Sequence, residues 1–392
     1  MLEGKADRLH HLDGLRGVAA LVVAFSHFLT CFYPACYFGP VDRASPAWAH
    51  FATLPQGSAR DLATLVSSTP LFVAVNGSFA VYIFFVLSGY VLAAANRRIG
   101  SLAFTAAARY LRLTLPCGAA ILLTGLLIGT GAMALPDIAG TVGHGWVAKW
   151  YQAPLGWPRI GYEAVAGLYV GGATNVNPVL WTMQRELIGS LMIFSVAWSV
   201  SGGRRRLLAY AALAALILAC GLEPSRYLAF VAGAVLFELK AGEQRIGALA
   251  AALMLGTGLL LGGAPFFAPE PGDLYGPLAA PLAHFGEDAR LFLWLAGSIL
   301  VVGTALVSAP VRSFFSLAPC RYLGRISFSL YLLHFPLMAS LLASAYVRTG
   351  LDDPVVVGAV LTAYLAVLLL VSDLFERLVD RPALRLSRKM RR

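Results

Sequence analysis

The sequence predicts an all-α, polytopic membrane protein with about ten transmembrane helices and both termini in the cytoplasm, on the strength of three observations. Of 392 residues, 58% are hydrophobic and 13% charged, and the mean hydropathy is +0.73, far from an average soluble domain. Apolar runs of bilayer-crossing length recur along the chain. Basic residues gather in short segments between those runs and favour one side. That clustering also removes the nucleic-acid reading that a net charge of +10 invites, because the charges mark topology and form no binding stripe.

The runs fall at about 12–33, 70–95, 106–130, 178–201, 205–221, 224–240, 245–264, 290–309, 322–346 and 354–378. The fifth and sixth are short and joined by a tight turn at 221–224, which reads as a helical hairpin. With the N-terminus inside, 22 of the 30 Lys and Arg residues lie on the cytoplasmic side and 7 outside, leaving only Arg185 within a span. This bias requires an even number of spans. The first run is too long for a signal-peptide core and carries Arg16 and His27, so it reads as a retained anchor. With no boundary or repeat in view, residues 1–392 read as one integral-membrane domain, its spans covering about 12–378 and a basic cytoplasmic tail covering 379–392.

Ionisable groups deep in such runs are costly and mark function. In the first span, Arg16 and His27 are eleven positions apart, roughly 16 Å along a helix and close to three turns, so they project to one side. The second span reaches Ser88-Gly89 near its inner end, which suits either close helix packing or backbone approach to a ligand. Arg109 and Arg112 open the third span on one face, a pair that matches phosphate geometry or plain positive-inside charge. In the fourth, Trp181-Thr-Met-Gln-Arg185-Glu186 sets a carboxylate at a depth comparable to His27, so the two are expected to meet. The ninth carries His334 nine residues after Arg325 and two before Pro336, where it serves chemistry or the kink. Asp373, Glu376, Arg377, Asp380 and Arg381 form an interfacial charge network at the end of the last span.

Outside the spans, Trp48, Trp146, Trp150, Trp157, Tyr151, Tyr162 and Tyr169 are either interface anchors or an acceptor platform, since aromatic faces suit sugar rings. The outer loop at 265–289 is rich in Pro and carries Glu270, Asp273, Glu287 and Asp288. The five cysteines lack metal-ligand spacing and no metal is expected; Cys31 and Cys36 are near enough for a disulfide in an oxidising compartment.

The assembled pattern resembles the membrane-bound acyltransferase 3 family. The resemblance runs from Leu12 to about Pro382 through six motifs in family order. These are Arg16 with His27, Phe84 to Tyr90, Arg109-x-x-Arg112, Trp181 with Glu186, Gly324-Arg-Ile-Ser-x-Ser-Leu-Tyr-x-x-His334, and Glu376 before Pro382. It implies an acyl-CoA donor, acetyl-CoA first, bound from the cytoplasm, and a carbohydrate or other hydroxyl acceptor acylated at or beyond a bacterial inner membrane. The family's essential histidine falls on His27, and its donor-binding arginines on Arg109 and Arg112. On this expectation Arg16, Arg109 and Arg112 hold the coenzyme A phosphates, with Ser88 and Gly89 nearby. His27, through Nε2 or Nδ1, takes the acceptor proton, or forms a transient acyl-imidazole. Glu186 orients His27, and His334 or Ser88 supports the oxyanion. The competing class is a transporter of lipid or sugar using the same buried groups, disfavoured by the lack of inverted halves; a sensor without chemistry would leave these groups unexplained.

Overall fold

The computed structural model describes residues 10–38, 64–96, 99–142, 146–151, 155–171, 175–265, 274–285, 289–350 and 353–390. Regular structure among them is helical throughout. Trp48 and the acidic residues Glu270, Asp273, Glu287 and Asp288 lie outside the described residues.

Each of the ten apolar runs carries a helix. We label these α1 (His10–Phe32), α2 (Gly77–Ala95), α3 (Leu102–Gly129), α4 (Trp181–Ser199) and α5 (Arg204–Cys220). The series continues with α6 (Pro224–Glu238), α7 (Ala248–Gly262), α8 (Ala289–Val307), α9 (Ala318–Thr349) and α10 (Pro354–Lys389). Among the described residues, six of them, α1, α2, α3, α8, α9 and α10, are long and apolar enough to cross a membrane, so the structure supports six spans where the sequence suggests ten. The reason is geometric for α5, α6 and α7. Their 17, 15 and 15 residues rise about 22–26 Å, short of a roughly 30 Å hydrocarbon core. The fourth helix has the length but loses its apolarity to Gln184-Arg185-Glu186.

The chain resolves into two compact units, each assembled from separated segments: residues 1–23, 65–107 and 188–325 form one, and residues 24–64, 108–187 and 326–392 the other. In the first, glycine sets how closely helices approach. A Cβ on Gly89 would stand 2.0 Å from the Phe230 carbonyl oxygen, and one on Gly233 would stand 2.0 Å from that of Val86. Helices α2 and α6 therefore touch backbone to backbone, as small residues allow in membrane bundles. Gly17 meets Gly324 at the start of α9 in the same way, a Cβ there falling 2.3 Å from the Gly324 nitrogen. Asn76 caps α2 by accepting from the Phe79 N–H and donates to Gly262 at 2.8 Å, tying α2 to the end of α7.

The expected hairpin of α5 and α6 is present. Gly221 closes it at φ +65°, the left-handed conformation glycine adopts without cost. Buried Arg206, near the start of α5, bridges Glu238 at the end of α6 at 3.2 Å, which fixes the pair as antiparallel. Cys31 and Cys36 are separate thiols, so the disulfide that their spacing permits is not formed.

Gly233→Ala is expected to destabilise the protein by about 1–3 kcal/mol through overpacking, outweighing the roughly 1 kcal/mol of helix propensity alanine adds. Thermal unfolding in detergent checks this, and an unchanged melting temperature would contradict the backbone contact.

Candidate functional site

The second unit holds the densest collection of buried polar groups, and its geometry begins with Pro336. A proline inside a helix has no N–H for the carbonyl four residues back, which here belongs to Leu332. The side chain of fully buried Asn177 donates to that carbonyl at 2.9 Å. Just beyond the proline the helix widens into a π turn at Met338–Leu342, a common response to a broken ladder. Tyr331 O–H donates to Val179 at 2.7 Å and its oxygen lies 2.9 Å from the Thr182 hydroxyl, so the entry to α4 is bolted to this part of α9. Tyr364 on α10 donates to the His334 carbonyl at 2.8 Å.

These bonds hold His334, which is fully buried. Its Nδ1 lies 3.2 Å from the Leu330 carbonyl and its Nε2 lies 3.1 Å from Nδ1 of His27. A carbonyl can only accept, so the proton of neutral His334 sits on Nδ1 and its Nε2 accepts. His27 must then donate from Nδ1, which leaves the lone pair of its neutral ring on Nε2. The sequence leaves the choice of ring nitrogen open; the hydrogen-bond chain favours Nε2. The structure pairs Nδ1 of His27 with His334; the sequence also expects Glu186 near His27, and Glu186 bonds Arg109.

Aromatic rings surround His27, itself only partly buried. Trp146 stacks on it at 5.8 Å and Phe335 meets it edge-on at 5.6 Å. Trp150 and Tyr151 follow, against Trp146 and Phe335. Of the loop aromatics, then, one stacks on the histidine and two pack on the rings around it, while Trp157 and Tyr162 are largely exposed and suit the anchor reading. Burial pushes the Tyr151 hydroxyl above its ordinary range, which keeps it protonated and able to donate.

The third helix supplies two guanidinium groups, each matched by a carboxylate. Arg109 meets Glu186 at 2.6 Å, both mostly buried, and Arg112 pairs with Asp380 and lies over the Phe328 ring. Asp380 ends a second π turn, Glu376–Asp380, while Glu376 binds Arg381 through two contacts at 3.0 and 2.9 Å. Arg377 holds Asp373 at 2.7 Å, so the expected charge network at the end of α10 is present. Tyr169 lies 2.9 Å from the Thr114 hydroxyl and its carbonyl accepts from Gln184, which ties residues 155–171 to α3 and α4.

Arg16, Ser88 and Gly89 belong to the first unit. Arg16 bonds Asp13 at 3.2 Å, and Gly89 faces the Phe230 backbone. Sequence reasoning missed Asn177, the pairing of Asp380 with Arg112 and the donors on Trp150 and Tyr151. The first had a legible signal: a proline four residues past a buried carbonyl requires a replacement donor.

The chain matches the acyltransferase 3 family model, described as "Acyltransferase domain", over residues 9–377, and it belongs to that family. It is a multi-pass membrane protein of the acyltransferase class. A curated relative, "Acyltransferase R4" of Phoma sp., is 22% identical over 449 residues, spanning 95% of this chain and 93% of its own. No solved structure matches the chain.

Asn177→Leu is expected to cost about 1–3 kcal/mol by stranding the Leu332 carbonyl. The cost should shrink in a Pro336→Ala background, where the restored N–H serves that carbonyl. Melting temperatures of the two single variants and the double variant test the coupling; strict additivity would refute it.

Proposed function

We propose that the protein is an integral-membrane O-acyltransferase that moves an acyl group, acetyl first among candidates, from cytoplasmic acyl-CoA to a hydroxyl of a carbohydrate or other acceptor at or beyond the membrane. The observation that carries the reading is the chain from the Leu330 carbonyl through His334 to His27. It favours a lone pair on Nε2 of a histidine that is only partly buried, which is what a general base requires. The acceptor hydroxyl gives its proton to Nε2 as its oxygen attacks the thioester carbon. The imidazolium so formed keeps its Nδ1–H bonded to His334. When the tetrahedral species collapses, the C–S bond breaks and the departing thiolate takes the proton from Nε2. In this reading His334 is a positioning residue. Glu186 holds Arg109, and the bond from His334 is the one that orients His27 in this reading.

Arg109 and Arg112 are proposed to bind the phosphates of the donor. A guanidinium carries five N–H donors, more than one carboxylate can take, and the partners Glu186 and Asp380 fix where each fork points. The assignment of Arg16, Ser88 and Gly89 to the donor rests on the family resemblance.

His27→Ala should reduce acyl transfer by about 10²–10⁴-fold, the range for loss of a positioned base, with the melting temperature retained; thiol release from acetyl-CoA measures it, and near-wild-type turnover would remove His27 from the chemistry. Replacing Arg109 and Arg112 together by Gln should raise the KM for acetyl-CoA with a smaller effect on kcat. An unaltered KM would take both residues out of donor binding.

A further inference from the structure

Two hydrogen-bond donors one ring away from His27 have no partner among the described residues. Trp150 Nε1 and Tyr151 Oη are both buried, and neither bonds to any described residue. Both rings rest on Phe335, at 6.5 and 6.4 Å, and Phe335 in turn meets His27 edge-on at 5.6 Å. Trp150 also meets, at 5.7 Å, the Trp146 ring that stacks on His27. Tyr151 takes a left-handed backbone conformation, φ +62°, which a side-chain-bearing residue adopts only when its surroundings impose it. Buried donors are ordinarily satisfied, and two adjacent exceptions, packed on a ring that itself meets the proposed base, suit an outside oxygen.

Resting on the acyl-transfer reading above, we propose that Trp150 Nε1–H and Tyr151 O–H are the donors that receive the acyl carbonyl oxygen of the thioester. Chemistry selects this oxygen over the acceptor's. An indole N–H can only donate. Donors aimed at the attacking hydroxyl oxygen would draw electron density from the atom that must act as nucleophile. The carbonyl oxygen has no hydrogen of its own, and it gains the electron pair of the C=O π bond as the new C–O bond forms. Two fixed donors stabilise that charge most where it is largest. When the pair returns and the C–S bond breaks, the thiolate leaves as the thiol with the proton held by His27, so acyl thioester and alcohol become ester and thiol.

The test uses the full chain in lipid nanodiscs and two probes, acetyl-CoA and S-ethyl-CoA, the second lacking the carbonyl oxygen. Wild-type protein should bind acetyl-CoA more tightly than S-ethyl-CoA by about 10-fold, the scale of one or two hydrogen bonds. Tyr151→Phe with Trp150→Phe should abolish that preference while leaving S-ethyl-CoA affinity unchanged, because neither donor bonds to a described residue. A preference retained by the double variant overturns the inference and leaves the acyl-transfer reading standing. A double variant that melts lower and loses both probes together overturns it too, showing the donors to be structural. Failure of wild-type protein to bind acetyl-CoA overturns the donor assignment, and this inference with it.

Discussion

A histidine bonded to a second histidine is ordered only if something fixes the second. Here that something is a backbone carbonyl. Leu330 accepts from Nδ1 of His334, which makes Nε2 of that ring an acceptor and Nδ1 of His27 a donor. The direction of the whole chain follows from one group that can accept and never donate. That direction is set without a carboxylate, and Glu186 bonds Arg109. A neutral ring bonded to a neutral ring also spares the site a buried charge, whose desolvation would be costly in an apolar setting.

The helix that carries His334 is held in place by its own defect. Pro336 removes a ladder bond, Asn177 replaces it from another segment, and the π turn at Met338–Leu342 takes up the irregularity. Non-helical backbone is tolerated at membrane depth where partners inside the protein satisfy the freed groups. Tyr331, Thr182 and Tyr364 add three more bonds within a few residues of the imidazole. A ring so held loses little orientation entropy at the moment of proton transfer, the preorganisation that catalysis exploits.

Much of this was legible in the sequence. The helical class followed from composition and recurring apolar runs, and the candidate residues His27, His334, Arg109, Arg112 and Glu186 stood out because ionisable groups in apolar helices are expensive. Pairing was not legible. Depth along two helices matches His27 with Glu186 and with His334 alike; only the rotation of each helix about its axis decides, and that is set by packing many residues away. Helix length was the other limit. Apolar runs are visible in sequence, but their helical extent is not: Gly221 and Glu223, with left-handed φ, bound α5 and α6 at 17 and 15 residues. The Ser88-Gly89 pair allowed two explanations, and the 2.0 Å approach to Phe230 accounts for Gly89 by packing. The donors on Trp150 and Tyr151 could not be read from spacing at all, because an unpaired hydrogen bond is a property of three-dimensional surroundings.

The central claim is the protonation order of the two rings, and nitrogen chemical shifts report it directly. Protein labelled with ¹⁵N-histidine, reconstituted in lipid and measured by solid-state NMR at neutral pH, with His27→Ala and His334→Ala used for assignment, should show both rings neutral and protonated on Nδ1. His27 protonated on Nε2, or His334 with an unprotonated Nδ1, would reverse the chain and leave His27 without the lone pair on which the proposed chemistry depends.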